Sequence, residues 1–274
     1  MTLSKKNIQE FQSYIRKWRA INRRDLPWRK TTDPYAIWIS ETMLCQTQVS
    51  RVIVYFNNRM RQFPTVYDLA QASTTEILSA RSGLGYNSRW LRIRLAAQAI
   101  VASQSEANNN SFPTTYTELL SLPGVGDYVA NAILVFAYHQ DVAVIDTNIR
   151  RILIHHFSLD EKTSLQDLKV VALKILPKGY ACEWYNALMD YGALELTSKK
   201  TGIRPVSRQS KFEWSRRQVR AWIVREIVNG SSWVMNYLEI QRKFPDRNDI
   251  QGIIDDMIRE NIIEIIDWKL TIKS

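Results

Sequence analysis

Apolar residues recur at spacings of three and four through most of this chain, and nearly every run stops at a proline or a glycine. That rhythm admits helices and little else. From Asn7 to Ile21 the apolar positions Ile8, Phe11, Ile15 and Trp18 form the stripe of an amphipathic helix. The same spacing predicts helices over 36–62, 66–71, 74–81, 89–104, 115–121, 127–138, 147–157, 164–176 and 183–195. The breaks fall at Pro64, Gly83-Leu84-Gly85, Pro113, Pro123-Gly124 and Pro177-Lys178-Gly179. A mainly α fold follows, and 274 residues leave room for two compact parts.

Past residue 197 the composition changes. Thr197 to Arg225 carries nine basic residues against one acidic, Glu213, which reads as a linker running into a basic helix. Helical patterns follow at 235–243 and 247–260, and the stretch 261–273 resembles two short strands about Asp267-Trp268. Three helices and a hairpin fit a small winged-helix-like α+β module, and equally a structural cap. The expected division is 1–204 and 205–274. The polar run 105–111 reads as an exposed loop.

The formal charge of +10 suggests a polyanionic partner such as nucleic acid. Nine Lys/Arg among the first thirty residues, with no continuous apolar segment, exclude a signal peptide or membrane anchor there. No run approaches the roughly 20 apolar residues of a spanning helix. A cytoplasmic, nucleoid-associated protein without a membrane partner is expected. Two cysteines, Cys45 and Cys182, and three histidines can build neither a disulfide framework nor a four-cysteine metal site, so no metal is expected on the side chains.

The chemistry concentrates in 122–148. In Leu122-Pro123-Gly124-Val125-Gly126 the proline stops one helix, and two glycines permit a sharp turn into the next. The new helix starts with bare N–H groups, which suit a phosphate oxygen, although an ordinary helical corner looks the same. Twenty residues on, Asp146 opens another helix ahead of Asn148. Asp is a common helix cap. A carboxylate there, close to a phosphate-binding hairpin, is electrostatically costly unless it faces a developing positive charge, as on a deoxyribose losing its base.

Helix, hairpin, helix and aspartate resemble the helix–hairpin–helix, glycine/proline-rich, aspartate (HhH-GPD) superfamily of DNA glycosylases, with the motif at 115–138. The stretches RRDLPWRKTTDPYAIWISETMLCQTQVSRVIVYF, FPTVYDLAQAS, GLGYNSR, VIDTNIRR and NALMDYGA resemble the catalytic part of MutY-type adenine glycosylases over residues 7–196. The resemblance implies a two-lobed helical fold and a monomer acting on double-stranded DNA that contains a mismatched or damaged base. It implies excision of adenine paired with guanine or 8-oxoguanine. Thymine or uracil removal from G·T and G·U pairs is the alternative, and a non-catalytic DNA-binding protein a second one.

Roles carried by the resemblance are these. Glu41 would protonate the departing base, Asp146 would stabilise the sugar cation, and Asn148 would orient Asp146 or the sugar. Tyr128 stands where bifunctional relatives carry a nucleophilic lysine, so lyase activity should be weak. Arg24, Trp28, Arg29, Leu44, Asn186 and Asp190 match positions lining the base pocket. Gln46 resembles the wedge that enters the base stack during flipping, and Tyr86 would fill the gap. Arg89 reads as a phosphate contact, as do the hairpin residues Leu122, Gly124, Val125 and Gly126 and the basic residues Lys199, Lys200, Arg216 and Arg217. A monovalent cation on the hairpin carbonyls is a further implication.

The chain departs from the family in two places. Leu196 stands where the first cysteine of an iron–sulfur cluster is expected and no cysteine follows Cys182, so no cluster is expected. The roughly seventy residues after Pro205 are too short for a MutT-like 8-oxoguanine domain. Asn87 and Cys45 differ from the residues found beside the lesion in many relatives.

Overall fold

The computed structural model describes residues 3–79, 87–103, 112–206, 211–230 and 234–273, and these are mainly helical. The chain packs as two units. One comprises Met1–Phe56, Phe112–Ser121 and Val125–Arg208; the other comprises Asn57–Ser111, Leu122–Gly124 and Gln209–Ser274. Among the described residues no helix is long and apolar enough to cross a membrane.

The first unit is built on two interior helices. Helix α1 (Lys5–Asn22) and a 3-10 turn at Pro27–Arg29 precede α2 (Pro34–Leu44). Asp33 starts α2 by accepting from the backbone N–H groups of Tyr35 and Ala36, and Pro34 supplies the fixed first turn. Every residue from Tyr35 to Met43 is buried, so α2 has no solvent face. Helix α8 (Asp127–Phe136) is buried from Val129 to its end, and it packs along α2. Two apolar rods against each other form a low-dielectric centre in which any polar side chain must be partnered.

Around that pair lie α7 (Tyr116–Ser121), α9 (Thr147–Phe157), α10 (Leu165–Ile175), α11 (Ala181–Leu194) and the short α12 (Ser198–Thr201). Phe11 on α1 packs against the rings of His156, Phe157 and Trp184 at 4.8–5.8 Å. Helix α11 approaches α9 very closely at Gly192, where a Cβ would stand 2.6 Å from Cβ of Asn148.

Helix α3 (Val49–Gln62) enters the second unit, which holds α4 (Val66–Gln71), α5 (Thr74–Ser79), α6 (Asn87–Ser103), α13 (Arg216–Asn229), α14 (Tyr237–Lys243) and α15 (Ile250–Arg259). The Arg59 guanidinium lies 4.0 Å over the Trp90 ring. Strands β1 (Ile263–Ile266) and β2 (Lys269–Ile272) pair antiparallel, with Ile263 opposite Ile272, and Met235 adds a bridge to Leu270. The turn residues Asp267 and Trp268 have φ of 49° and 62°, as a two-residue hairpin turn requires. This is the winged-helix-like order read from the sequence. Helix α13 packs on α5 as well as on α15 and β2, and so residues 209–274 group with 57–111.

Two boundaries differ from expectation. The continuous pattern over 36–62 is broken at 45–48, where Gln46 has φ 64°, a left-handed angle that a helix cannot pass through. Within the expected linker, Thr197 caps the single turn α12 and Gly202 closes it at φ 75°.

Candidate active site

Glu41 sits in the last turn of α2 and is only 3% exposed. Helix α8 delivers Tyr128 to it: the phenolic O–H donates to Oε2 of Glu41 at 2.6 Å. Burial pushes the Glu41 carboxyl up to about 7; the Tyr128 bond pulls it down, the Asp146 charge raises it again, and Arg29 lowers it. The result is a carboxylic acid that can hold or give a proton at neutral pH. The Tyr128 hydroxyl is itself pushed well above its ordinary value by burial and by the two carboxylates. It therefore stays a donor.

Asp146 caps α9. Its Oδ1 accepts from the Ile149 N–H at 2.6 Å, and its Oδ2 accepts from the Asn148 amide at 2.9 Å. Cap and candidate stabiliser of the sugar cation are thus the same carboxylate. Burial raises its pKa, while those hydrogen bonds and Arg151 oppose the rise. Asn148 is held in turn, because Arg151 donates from Nη2 to Asn148 Oδ1 at 2.6 Å. The same guanidinium donates to the Gly192 carbonyl at 2.7 Å and, from Nε, to the Leu196 carbonyl at 2.6 Å. Arg151 and Gly192 were not foreseen. The only sequence signal for Arg151 was its position three residues past Asn148, which puts both on one helical face.

Asp190 on α11 is 1% exposed and spends both oxygens on arginines. Arg29 binds it in a fork at 2.8 Å on each arm, and Arg24 adds its Nε at 2.5 Å and its backbone N–H at 3.0 Å. Burial alone would raise the Asp190 carboxyl, and the arginine pairing outweighs it to hold the group below the usual range. Asp190 therefore braces Arg24 and Arg29 from behind.

Next to Glu41 is a cavity of about 220 Å³ whose wall includes Trp28, Arg29, Glu41 and Asn186. Arg24, Leu44 and Asp190 are not part of that wall, whereas Phe136, His139 and Cys182, which were not expected, are.

The expected DNA contacts divide. Gly124 has φ 81°, and Gly126 caps α8 without a side-chain bond, so the hairpin offers backbone groups. Leu122 and Val125 are buried, and any contact they make is through the main chain. Gln46 lies exposed in the break between α2 and α3, Arg89 is in the first turn of α6, and Tyr86 lies outside the described residues. Lys199 is exposed, while Lys200 pairs with Glu195 at 2.6 Å. Arg216 is already paired, with Asp249 at 2.9 Å and Asp256 at 2.7 Å, although its side chain stays 42% exposed, and Arg220, one turn further along α13, pairs with Glu260. Arg217 lies on the same helix.

Among the described residues no group of three or more His, Cys, Asp or Glu could hold a metal ion, and neither cysteine forms a disulfide. Cys45 and Cys182 are two cysteines where a four-cysteine cluster needs four, and Leu196 is a buried apolar side chain.

Residues 39–178 match the family described as HhH-GPD superfamily base excision DNA repair protein. The chain is 37% identical over 195 residues to an adenine DNA glycosylase of Mycolicibacterium smegmatis, covering 69% of this chain and 65% of that one. It is 34% identical over 186 residues to an adenine DNA glycosylase of Buchnera aphidicola, covering 67% of this chain and 52% of that one. The chain thus spans less than two thirds of these relatives. Among solved structures, a thermostable thymine-DNA glycosylase superposes with a TM-score of 0.64 at 25% identity, covering 72% of this chain and 90% of that one.

Proposed function

This chain belongs to the HhH-GPD superfamily of base excision DNA repair proteins, and from that premise we propose that it hydrolyses the N-glycosidic bond of adenine mispaired with guanine or 8-oxoguanine in double-stranded DNA. The observation that carries the reading is the buried Glu41 carboxyl, raised to about 7 and held by Tyr128. Adenine is a poor leaving group until it is protonated, and a neutral acid at the base is what that reaction needs. Since Tyr128 donates to Oε2, the acidic proton resides on Oε1, the oxygen left for the base. As the bond to the sugar breaks, the Asp146 carboxylate stabilises the oxocarbenium ion, directly or through a short-lived covalent adduct that water then opens. Asn148 and Arg151 fix the aim of that carboxylate.

Position 128 offers a phenol and no amine, so no Schiff base forms there and strand cleavage is weak. The hairpin contacts the DNA backbone through its N–H groups, and a monovalent cation on its carbonyls would assist. The thymine or uracil reading has one observation in its favour, the fold shared with the thymine-DNA glycosylase. A pyrimidine anion leaves without N7 protonation, so that chemistry makes less use of a raised Glu41.

The test is a panel of duplexes carrying A·G, A·8-oxoG, T·G and U·G pairs, treated with alkali to reveal abasic sites. Cleavage at the adenine strand is expected, abolished in Asp146→Asn with duplex binding retained. Abasic sites only at T·G and U·G would replace adenine by the pyrimidine reading.

A further inference from the structure

We propose that the cavity beside Glu41 is a passage with its own mouth, through which the excised base leaves while the DNA is still bound. The inference rests on the reading of Glu41 as the acid at the base. The cavity's volume of about 220 Å³ is far more than the roughly 10–15 Å³ that one water requires, and it suits a single heterocycle. Its inner wall is buried: Ile37 is 2% exposed, Ser40 0% and Trp28 6%. Its outer wall is formed by Thr32, His139 and Glu183, all exposed. The space therefore joins the acid to solvent.

Helix α8 fixes the direction of the passage. Tyr128, which holds Glu41, is the second residue of α8; Phe136, its last, lines the cavity, and His139 lies just beyond. Eight residues of helix separate Tyr128 from Phe136, about 12 Å. The hairpin that would hold phosphate lies at the start of this same helix. Mouth and phosphate contact thus sit at opposite ends of one rod. A base entering beside Glu41 can leave past His139 without repassing the sugar, and a base cleared that way cannot recombine with the sugar cation.

The test follows a single turnover on an A·G duplex labelled in the adenine base. Alkali-revealed abasic sites report bond cleavage. Label passing a filter that retains the enzyme–DNA complex reports base release. In the wild-type chain both rise together. Thr32→Trp and Glu183→Trp place bulk at exposed positions of the mouth, where folding tolerates it. Each should cleave within about 2-fold of wild type while label release lags by about 10-fold or more. Label appearing together with cleavage in both variants overturns the passage. So does loss of cleavage in both with duplex binding intact, which would make the mouth part of the chemistry. A wild-type chain that releases no base from any duplex fails the functional reading itself, a result distinct from either.

Discussion

Tyr128 donates its phenolic hydrogen to Oε2 of Glu41 across 2.6 Å, between the first turn of α8 and the last turn of α2, 87 positions apart in the chain. The bond does two things. It occupies Oε2 and leaves Oε1 free of Tyr128, and it offsets part of the rise that burial imposes on Glu41.

Removing that hydroxyl should shift the pH profile. With Glu41 acting as a protonated acid, the single-turnover rate falls as pH rises through about 7. Tyr128→Phe deletes a contact that lowers the Glu41 pKa, so the fall should move to higher pH, with a reduced plateau because the proton is no longer confined to Oε1. Single-turnover rates measured between pH 5 and 9 check this. A limb that stays in place or moves down would remove Tyr128 from control of Glu41.

Glu41 should cost the fold stability at neutral pH. Its folded value of about 7 lies above the ordinary 4.5, so the folded chain keeps a proton that the unfolded chain releases. Stability therefore declines as pH rises from about 4.5 to about 7 and is constant beyond. Glu41→Gln cannot titrate. Its advantage over wild type should grow from nothing at low pH to at most roughly 3 kcal/mol above pH 7. Denaturant melts of both proteins at pH 4.5 and pH 8 measure the difference; a pH-independent difference would mean the carboxyl is not raised.

Much of this site was legible in the sequence, and what was missed has a common physical origin. The helical periods and the Pro/Gly breaks placed nearly every element, because those signals are local. Glu41, Asp146 and Tyr128 could be named from motifs, and α2 and α8 bring Glu41 and Tyr128 together. The pairing of Arg151 with the Gly192 carbonyl and of Asp190 with Arg29 was not legible, since these partners lie more than forty positions apart. The partners of Arg216 were hidden for the same reason: a basic run shows no acids of its own, and Asp249 and Asp256 come beside it only in the fold.

Gly192→Ala tests the close approach of α11 to α9. Its Cβ would lie 2.6 Å from Asn148 Cβ, 3.2 Å from Ile152 Cδ1 and 3.3 Å from Asn148 Cα, contacts relieved by moving Asn148 or by parting α11 from α9. Either movement displaces the side chain that aims Asp146 relative to α11. A stability loss of about 1–3 kcal/mol is expected from the forced packing. A fall of about 100-fold in single-turnover rate should accompany it, with duplex binding retained. Full activity in a folded variant would separate Asn148 from catalysis.

Lysine and arginine of the basic stretch should behave differently on DNA. Lys199→Ala removes an exposed cation and should lower the slope of log binding constant against log salt by about 1. Arg216→Ala removes a charge already matched by Asp249 and Asp256, so the slope should stay unchanged. Its stability cost should be within about 1 kcal/mol, because these ion pairs are partly exposed. Equal slope changes would return Arg216 to the DNA surface.

Arg151 reaches across to position 196 by way of a main-chain oxygen, and a peptide carbonyl is the same whatever side chain it carries. The strut that steadies Asn148, and through it Asp146, is therefore blind to the identity of residue 196. Any side chain that leaves the main chain in place there leaves the strut standing, and with it the aim of the carboxylate. Backbone position, and not residue type, is what that site has to conserve.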